Sequence, residues 1–184
     1  SPSAMNEIAE KGFGVPDDAL LELETVFRSD LFAGQTILVS GAGSGIGKAI
    51  SVLFARLGAR VVLASRSEEK LATTASLLER IDAPYQLVPT NIREPEQVDA
   101  LFEAIDQAGH GLDVVINNAG GQFPQASADL SDGGWRAVVD TNLNGPWTMM
   151  QRAARLWRRG EHAGSIVNIV APFIRGMFGV SHTV

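Results

Sequence analysis

One short segment, residues 35–48, constrains the fold more than any other part of the chain. It reads Gln-Thr-Ile-Leu-Val-Ser-Gly-Ala-Gly-Ser-Gly-Ile-Gly-Lys, so an apolar run typical of a β-strand leads into four glycines and then into a helical pattern. Glycines spaced as Gly41-x-x-x-Gly45-x-Gly47 let a backbone turn sharply and approach a pyrophosphate without a side chain in the way. A helix that follows them directs free N–H groups and a partial positive charge at that pyrophosphate. The context between strand and helix therefore predicts dinucleotide binding rather than an ordinary turn.

The rest of the chain alternates between strand-like and helix-like patterns. Strands are predicted at residues 36–40, 60–64, 85–89, 113–117 and 165–170, and helices at 45–57, 67–80, 95–108 and 134–159. This alternation predicts an α/β fold with a doubly wound parallel sheet of the Rossmann type. Residues 1–33 are predicted to be an N-terminal extension with one helix, from Pro16 through Phe27, and residues 34–184 to be the dinucleotide-binding domain.

Composition narrows the classes of partner. The net charge of −6 argues against nucleic acid as the main ligand, and no apolar stretch approaches the ~18 residues that a membrane span needs. The chain has no cysteine, which excludes disulfides, thiolate zinc sites and a cysteine nucleophile, and we expect no metal site. These features predict a cytoplasmic protein whose partner is a small-molecule substrate.

The predicted topology gathers the polar and glycine-containing segments into one place. Right-handed crossovers bring the carboxyl ends of all parallel strands to the same edge of the sheet. That edge would collect residues 40–47, 65–66, 91–92, 117–121 and 170–173. The sequence therefore predicts a single cleft at the point where the strand order reverses.

Four motifs that occur in order make a family resemblance specific. They are Ser40-Gly-Ala-Gly-Ser-Gly-Ile-Gly47, Asn117-Asn-Ala-Gly120, Asn142-Leu-Asn-Gly145 and Gly164-Ser-Ile-Val-Asn-Ile169. Together they resemble the short-chain dehydrogenase/reductase family, from about residue 33 to the end. Within it, Asn91-Ile-Arg93 and Asn118-Ala-Gly-Gly-Gln-Phe123 are similar to the peroxisomal trans-2-enoyl-CoA reductase and dienoyl-CoA reductase branch, and a bacterial citronellol-dehydrogenase-like group shares much of the pattern.

The resemblance implies a set of cofactor-binding residues. Asn118, Ala119 and Gly120 match the segment that lines the adenosine-ribose side, although Asn117 and Asn118 could also simply satisfy backbone groups at a strand end. Asn91 stands where the family usually has an acid near the adenine, and an amide can still bond an adenine edge. The implied set comprises Ser40, Gly41, Ser44, Gly45, Ile46, Gly47, Ser65, Arg66, Asn91, Ile92, Asn118, Ala119 and Gly120.

Arg66 bears on which cofactor is bound. Folds that prefer NAD place an acid about 20 residues after the glycines, where it accepts bonds from the ribose 2′-OH. Here the second strand ends in Ser65 and Arg66, and no acid follows until Glu68. An arginine fork and a hydroxyl would hold a 2′-phosphate, although Arg66 could also be a solvated loop residue. We therefore expect NADP(H) rather than NAD(H).

Asn142 lies inside the predicted long helix, where asparagine is unfavourable. The resemblance implies that it bends the helix and anchors a water in a proton relay, whereas Gly145-Pro146 could break the helix without it. An apolar stripe on the same helix indicates core or a subunit interface. Because family members use this helix to form dimers, the resemblance implies a homodimer or homotetramer.

The catalytic centre departs from the family pattern. The resemblance implies a serine after the fifth strand, but Val170 or Ala171 stands there. The family's tyrosine and lysine would lie beyond Val184, so we expect the domain to be incomplete at its C-terminus. Ser181, His182 and Thr183 are the candidate polar groups near the substrate, and His182 is the candidate for a catalytic role, although a lone histidine is more often a surface or packing residue. The expected function is an NADP(H)-dependent oxidoreductase acting on an enoyl-CoA-type or related carbonyl/alcohol substrate. The alternative is a non-catalytic dinucleotide-binding member that acts through assembly.

Overall fold

The computed structural model of the chain describes residues 15–123 and 125–171. Strands and helices alternate as the sequence predicts. The strands are β1 (Thr36–Ser40), β2 (Arg60–Ser65), β3 (Tyr85–Pro89), β4 (Val114–Asn117) and β5 (Ser165–Asn168). The helices are α1 (Asp17–Glu22), α2 (Gly45–Arg56), α3 (Glu68–Glu79), α4 (Pro95–Ala108), α5 (Asp132–Val139) and α6 (Gly145–Arg159).

The five strands form one parallel sheet in the order β3-β2-β1-β4-β5. β1 pairs with β2 on one side, Ile37 opposite Val61, and with β4 on the other, Ile37 opposite Val114. β2 and β3 therefore lie on one side of β1, and the later strands β4 and β5 lie on its other side. This reversal of the strand order leaves a crevice outside the carboxyl ends of β1 and β4, as the doubly wound topology predicts.

Both faces of the sheet are covered by helices. Alternate residues of β1 face opposite ways: Ile37 and Val39 pack with residues of α2 and α3, whereas Leu38 packs with residues of α4 and α6. All five residues of β1 are buried. Burial on both sides explains why β1 and β2 read as continuous apolar runs rather than as an alternating pattern.

The first helix is shorter than the sequence predicts. It ends at Glu22, so the prediction that it runs through Phe27 is wrong. The guanidinium of Arg56, a residue of α2, donates to the carbonyl oxygens of Leu20 and Leu23. These two hydrogen bonds fix the C-terminal end of α1 against α2. Leu20 enters the core beneath α2 and α3, so α1 is anchored across these two helices.

The predicted long helix is two α-helices joined by a π-helical turn, Asp140–Asn144. Pro146 has no N–H to donate four residues back, and its ring crowds the carbonyl at that position. The Gly145 N–H instead donates to the carbonyl of Asp140, five residues back. The prediction of one uninterrupted α-helix over residues 134–159 is therefore wrong. The turn that interrupts it contains Asn142 and ends directly before Gly145-Pro146, so it adjoins the residues that both interpretations name.

Smaller boundary differences concern strand ends. β2 extends one residue further than predicted, β4 begins one residue later, and β5 ends at Asn168 rather than at Val170. None of the helices in the described ranges has the length and hydropathy to cross a membrane.

Candidate functional site

A cavity of about 550 Å³ lies at the predicted edge of the sheet. Its walls come from the loops after β1, β2, β3 and β4 and from the π-helical turn. The lining residues are Gly41, Gly43, Ser44, Ser65, Arg66, Ser67, Lys70, Thr90, Asn91, Ile92, Arg93, Asn118, Ala119, Gly120 and Thr141. Segments far apart in sequence thus meet in one cleft.

The glycine loop after β1 has no room for side chains at its critical positions. Gly41 has φ +68°, and a β-carbon there would lie 2.9 Å from Asn118 Nδ2. A β-carbon at Gly47 would overlap the carbonyl oxygen of Gly41 and lie 2.5 Å from Asn118 Nδ2. Gly45, with φ +54°, faces open space, so its glycine is required by backbone conformation rather than by crowding.

Ser40 and Asn118 hold this loop from the β4 side. The Ser40 hydroxyl is buried and accepts hydrogen bonds from the backbone N–H groups of Asn118 and Ala119, both at 3.0 Å. The Asn118 side-chain amide donates to the carbonyl of Ser40 at 3.1 Å. Asn118 therefore satisfies backbone groups at a strand end and also lines the cavity, and its contact with a cofactor stays a prediction.

Helix α3 holds the loop from the other side. The fully buried Thr74 donates its hydroxyl proton to the carbonyl of Ala42 at 2.9 Å. The Ala42 N–H donates to the carbonyl of Ala64 at 3.2 Å. A β-carbon at Gly43 would lie 2.8 Å from Lys70 Cβ, so the loop packs directly on the first turn of α3.

We expect Thr74→Val to destabilise the protein and weaken nucleotide binding. Valine keeps the volume of threonine but removes the hydroxyl donor to the buried Ala42 carbonyl, which costs about 1–3 kcal/mol of unfolding free energy. Chemical denaturation measures the loss, and Thr74→Ser, which retains the hydroxyl, is the matched control for loop position. Equal cofactor affinity in Thr74→Val and the parent protein would show that this bond does not set the loop.

Among the described residues, the cavity is lined by cations and by no carboxylate. Arg66, Lys70 and Arg93 are lining residues, and none of the three forms an ion pair with a described residue. The whole chain carries a net charge of −6, so this concentration of positive charge is local. Such a cavity favours a ligand with several negative charges.

Sequence reasoning missed Lys70, Arg93, Ser67, Thr90 and Thr141 as lining residues. Lys70 could have been found, because it lies in the first turn of the helix that begins two residues after Arg66. Ser67 caps α3, because its hydroxyl accepts from the Lys70 N–H at 3.3 Å.

The loop after β3 supplies the wall with Asn91 and Ile92. The Asn91 side-chain oxygen accepts from the Arg93 N–H at 3.3 Å, and the Gln97 side chain accepts from the Asn91 N–H at 2.8 Å. A β-carbon at Gly145 would lie 2.9 Å from Ile92 atoms, so the π-helical turn abuts this wall.

Asn142 clamps the loop after β4. Its side-chain oxygen accepts from the Gly121 N–H at 2.9 Å, and its side-chain nitrogen donates to the Gly121 carbonyl at 2.8 Å. The amide thus fixes both backbone groups of one glycine, in the loop that contributes Asn118, Ala119 and Gly120 to the cavity. The side chain has a positioning role here, beside any part in a proton relay.

Most of the residues predicted to hold a cofactor come together, and a few lie behind or beside the cavity. Four of the predicted residues do not line the cavity. Ser40 is buried beneath the glycine loop and Gly47 is packed against that loop's backbone, whereas Gly45 faces open space and Ile46, at the start of α2, is 64% exposed. The remaining nine predicted residues line the cavity: Gly41, Ser44, Ser65, Arg66, Asn91, Ile92, Asn118, Ala119 and Gly120. Ser181, His182 and Thr183 lie outside the described residues.

Tyr85 is in the wrong place and the wrong electrostatic setting to be a catalytic acid at this cavity. It opens β3, at the end of the sheet opposite the cavity, and donates its hydroxyl proton to Glu79 at 2.5 Å. This hydrogen bond to a carboxylate raises the pKa of Tyr85 above its ordinary value. A tyrosine that gives up a proton near neutral pH needs the opposite shift.

The fold, the glycine loop and the cavity agree with a match to a known family. The family described as short chain dehydrogenase matches residues 35–178. The chain belongs to this family. The parallel five-stranded sheet with helices on both faces is the Rossmann-type fold that the sequence predicts.

Individual relatives extend the likeness. A probable 2,4-dienoyl-CoA reductase of Caenorhabditis elegans is 34% identical over 155 residues, covering 82% of this chain and 49% of its own length. The structure of a citronellol catabolism dehydrogenase of Pseudomonas aeruginosa is 36% identical with a TM-score of 0.77, covering 84% of this chain and 63% of that one. A metagenomic short-chain oxidoreductase solved in complex with NADP is 28% identical with a TM-score of 0.73, covering 79% of this chain and 66% of that one. The chain thus spans about half to two thirds of the length of these relatives.

Proposed function

We propose that this chain forms the cofactor-binding part of an NADP(H)-dependent oxidoreductase. The observation that carries the proposal is the cavity itself: a glycine loop at the carboxyl end of β1 opens onto walls that, within the described part of the chain, hold three cations and no carboxylate. A pyrophosphate and an additional phosphate would supply the negative charge that such walls favour. The NADP complex of a relative with the same fold supports the choice of cofactor.

The residues present fit this cofactor by their chemistry. The crowding at Gly41 and Gly47 keeps a backbone cradle free of side chains, which a pyrophosphate requires. Ser65 and Arg66 follow β2, where a hydroxyl and a guanidinium would hold a ribose 2′-phosphate. Asn91 and Ile92 would border the adenine, and Asn118, Ala119 and Gly120 would border the ribose. A bound nicotinamide cofactor supplies a hydride for transfer between carbon centres.

The protein's own contribution is to orient the cofactor and to exclude water. Asn142 holds the Gly121 backbone, and Ser40 holds the neighbouring Asn118 and Ala119 N–H groups, so the loop after β4 presents a fixed wall. A preorganised wall avoids the cost of ordering the loop when the cofactor binds. The group that protonates the substrate remains a prediction, with His182 the candidate from sequence.

The substrate class is proposed from the named relatives. One is called a probable 2,4-dienoyl-CoA reductase and another a citronellol catabolism dehydrogenase. We therefore propose an enoyl-CoA-type acyl thioester, or a related carbonyl or alcohol. We further propose that the protein assembles as a homodimer or homotetramer, which the family resemblance implies. A member that binds cofactor but lacks turnover with all of these substrates would instead act through assembly.

We expect Arg66→Asp to shift cofactor preference towards NAD. The change removes a charge-assisted bond worth about 1.5–3 kcal/mol and places a carboxylate where it repels a phosphate and accepts from a ribose hydroxyl. The ratio of the dissociation constants for NADH and NADPH should therefore fall about ten-fold or more, measured by fluorescence titration. Arg158→Asp, the same charge change in the last turn of α6 outside the cavity, is the control. If the parent protein already binds NADH more tightly, the cofactor proposal is wrong.

A further inference from the structure

We propose that Lys70 is a second determinant of cofactor selectivity, whose ammonium group acts with Arg66 on the 2′-phosphate of NADP(H). This inference rests on the proposed function. It adds a residue from helix α3 to a subsite that the sequence assigned only to the end of β2.

Position is the first support. The Ser67 side chain caps α3 and accepts from the Lys70 N–H, which fixes the first turn of the helix directly after Arg66. The Lys70 backbone and β-carbon press against Gly43, where a β-carbon would lie 2.8 Å from Lys70 Cβ and 3.2 Å from Ser65 Oγ. The lysine stem therefore starts at the junction of the glycine loop and the end of β2, and Lys70 lines the cavity together with Ser65 and Arg66.

Charge is the second support, because a nearby lysine provides a direct contrast. Lys48 lies in the first turn of α2 and is the cation that the glycine motif itself contains. Its ammonium group is held by both carboxylate oxygens of Asp17, at 2.8 and 2.9 Å, and Lys48 does not line the cavity. Lys70 has no carboxylate partner among the described residues, so its charge is available to a ligand.

Arg66 and Lys70 would contact the 2′-phosphate in different ways, because their charged groups differ in shape. A guanidinium is a planar fork that can bond two phosphate oxygens, whereas an ammonium is a compact charge with three rotatable donors. A phosphate monoester carries nearly two negative charges at neutral pH and presents three acceptor oxygens, so it can engage both groups. A ribose 2′-OH offers neither charge nor additional oxygens, and Lys70 would therefore contribute little to NAD binding.

The test compares Lys70→Gln with Lys48→Gln, an identical change at the paired lysine. We expect Lys70→Gln to weaken NADPH binding about ten-fold with NADH binding changed less than about two-fold. Lys48→Gln should leave the ratio of the two affinities unchanged, even where it lowers the melting temperature. Lys70→Arg should retain most of the NADPH affinity, and the effect of Lys70→Gln should shrink in high salt, because Lys70 is exposed.

Competition with 2′,5′-ADP and 5′-AMP isolates the phosphate from the rest of the cofactor. We expect Lys70→Gln to lose affinity for 2′,5′-ADP and to keep its affinity for 5′-AMP. A parent protein that does not distinguish these two probes would overturn the NADP(H) proposal. A parent protein that prefers 2′,5′-ADP, with Lys70→Gln showing the same preference, would overturn the role of Lys70 and leave that of Arg66 in place.

Discussion

Gly47→Ala is expected to abolish measurable cofactor binding and to lower the stability of the fold. The added β-carbon would overlap the Gly41 carbonyl oxygen and lie 2.5 Å from Asn118 Nδ2, and the first of these atoms is backbone. Neither the loop after β1 nor the start of α2 can then keep its position. Overpacking of this kind costs about 1–3 kcal/mol, which corresponds to a fall of roughly 2–4 °C in melting temperature per kcal/mol for a protein of this size.

Isothermal titration with NADPH and thermal unfolding measure the two effects. Gly133→Ala is the matched control, since Gly133 lies in the first turn of α5 and a β-carbon there meets nothing closer than 3.9 Å. That variant should bind and unfold like the parent protein or be slightly more stable, because alanine favours helix over glycine. A Gly47→Ala protein with parental NADPH affinity would show that the loop after β1 takes no part in cofactor binding.

The central sheet and the glycine loop could be predicted because the residue pattern of each segment matches the environment that the segment has in the folded protein. β1 is apolar throughout and buried on both faces, so its residue pattern and its final environment carry the same information. The loop glycines follow directly, and their spacing reflects crowding by Asn118 and by the loop itself. The position of this loop could therefore be predicted from the strand and glycines next to it in sequence, whereas its contacts with Asn118 could not.

The π-helical turn and the support from α3 could not be predicted with the same ease. Pro146 predicts a break in the helix, but it predicts neither the π-helical turn Asp140–Asn144 nor the contact of Gly145 with Ile92, which comes from another part of the chain. Nothing in the sequence around Thr74 distinguishes it from other helical residues. Its hydrogen bond to the Ala42 carbonyl, 32 residues away in sequence, is formed only in the folded protein. From the sequence alone Lys48 and Lys70 are equally plausible phosphate ligands. The structure separates them, because Lys48 is paired with the Asp17 carboxylate on α1 and does not line the cavity.

The end of α1 illustrates the same limit. The sequence after Glu22 remains compatible with a helix, yet the structure stops it there and turns Leu23 into extended backbone. The Arg56 side chain, which donates to two carbonyls at this end, belongs to α2. A helix end that is fixed by a side chain distant in sequence cannot be recognised from the residues around it. The end of α1 was therefore harder to predict than its position.

Asn142→Ala is expected to reduce turnover on the order of ten- to a hundred-fold while changing NADPH affinity less than about three-fold. Both side-chain bonds to Gly121 disappear, and the loop after β4 loses the clamp that fixes it beside the π-helical turn. The walls of the proposed adenine and phosphate subsites depend on other contacts, which the substitution leaves in place. Misplacement by a fraction of an ångström weakens reactant alignment far more than overall binding.

The measurement for Asn142→Ala is NADPH oxidation by the full-length protein with panels of enoyl thioesters and aldehydes, alongside cofactor titration and thermal unfolding. Asn144→Ala is the matched control, because Asn144 lies in the same π-helical turn and its side-chain amide donates to Asp140 within that turn, at 2.8 Å, rather than to the loop after β4. It should keep nearly parental turnover. A purely structural role for Asn142 would lower the melting temperature and weaken NADPH binding in proportion, whereas the positioning role predicts a fall in turnover that cofactor saturation does not restore. Parental turnover in a folded Asn142→Ala protein would remove this residue from the catalytic arrangement.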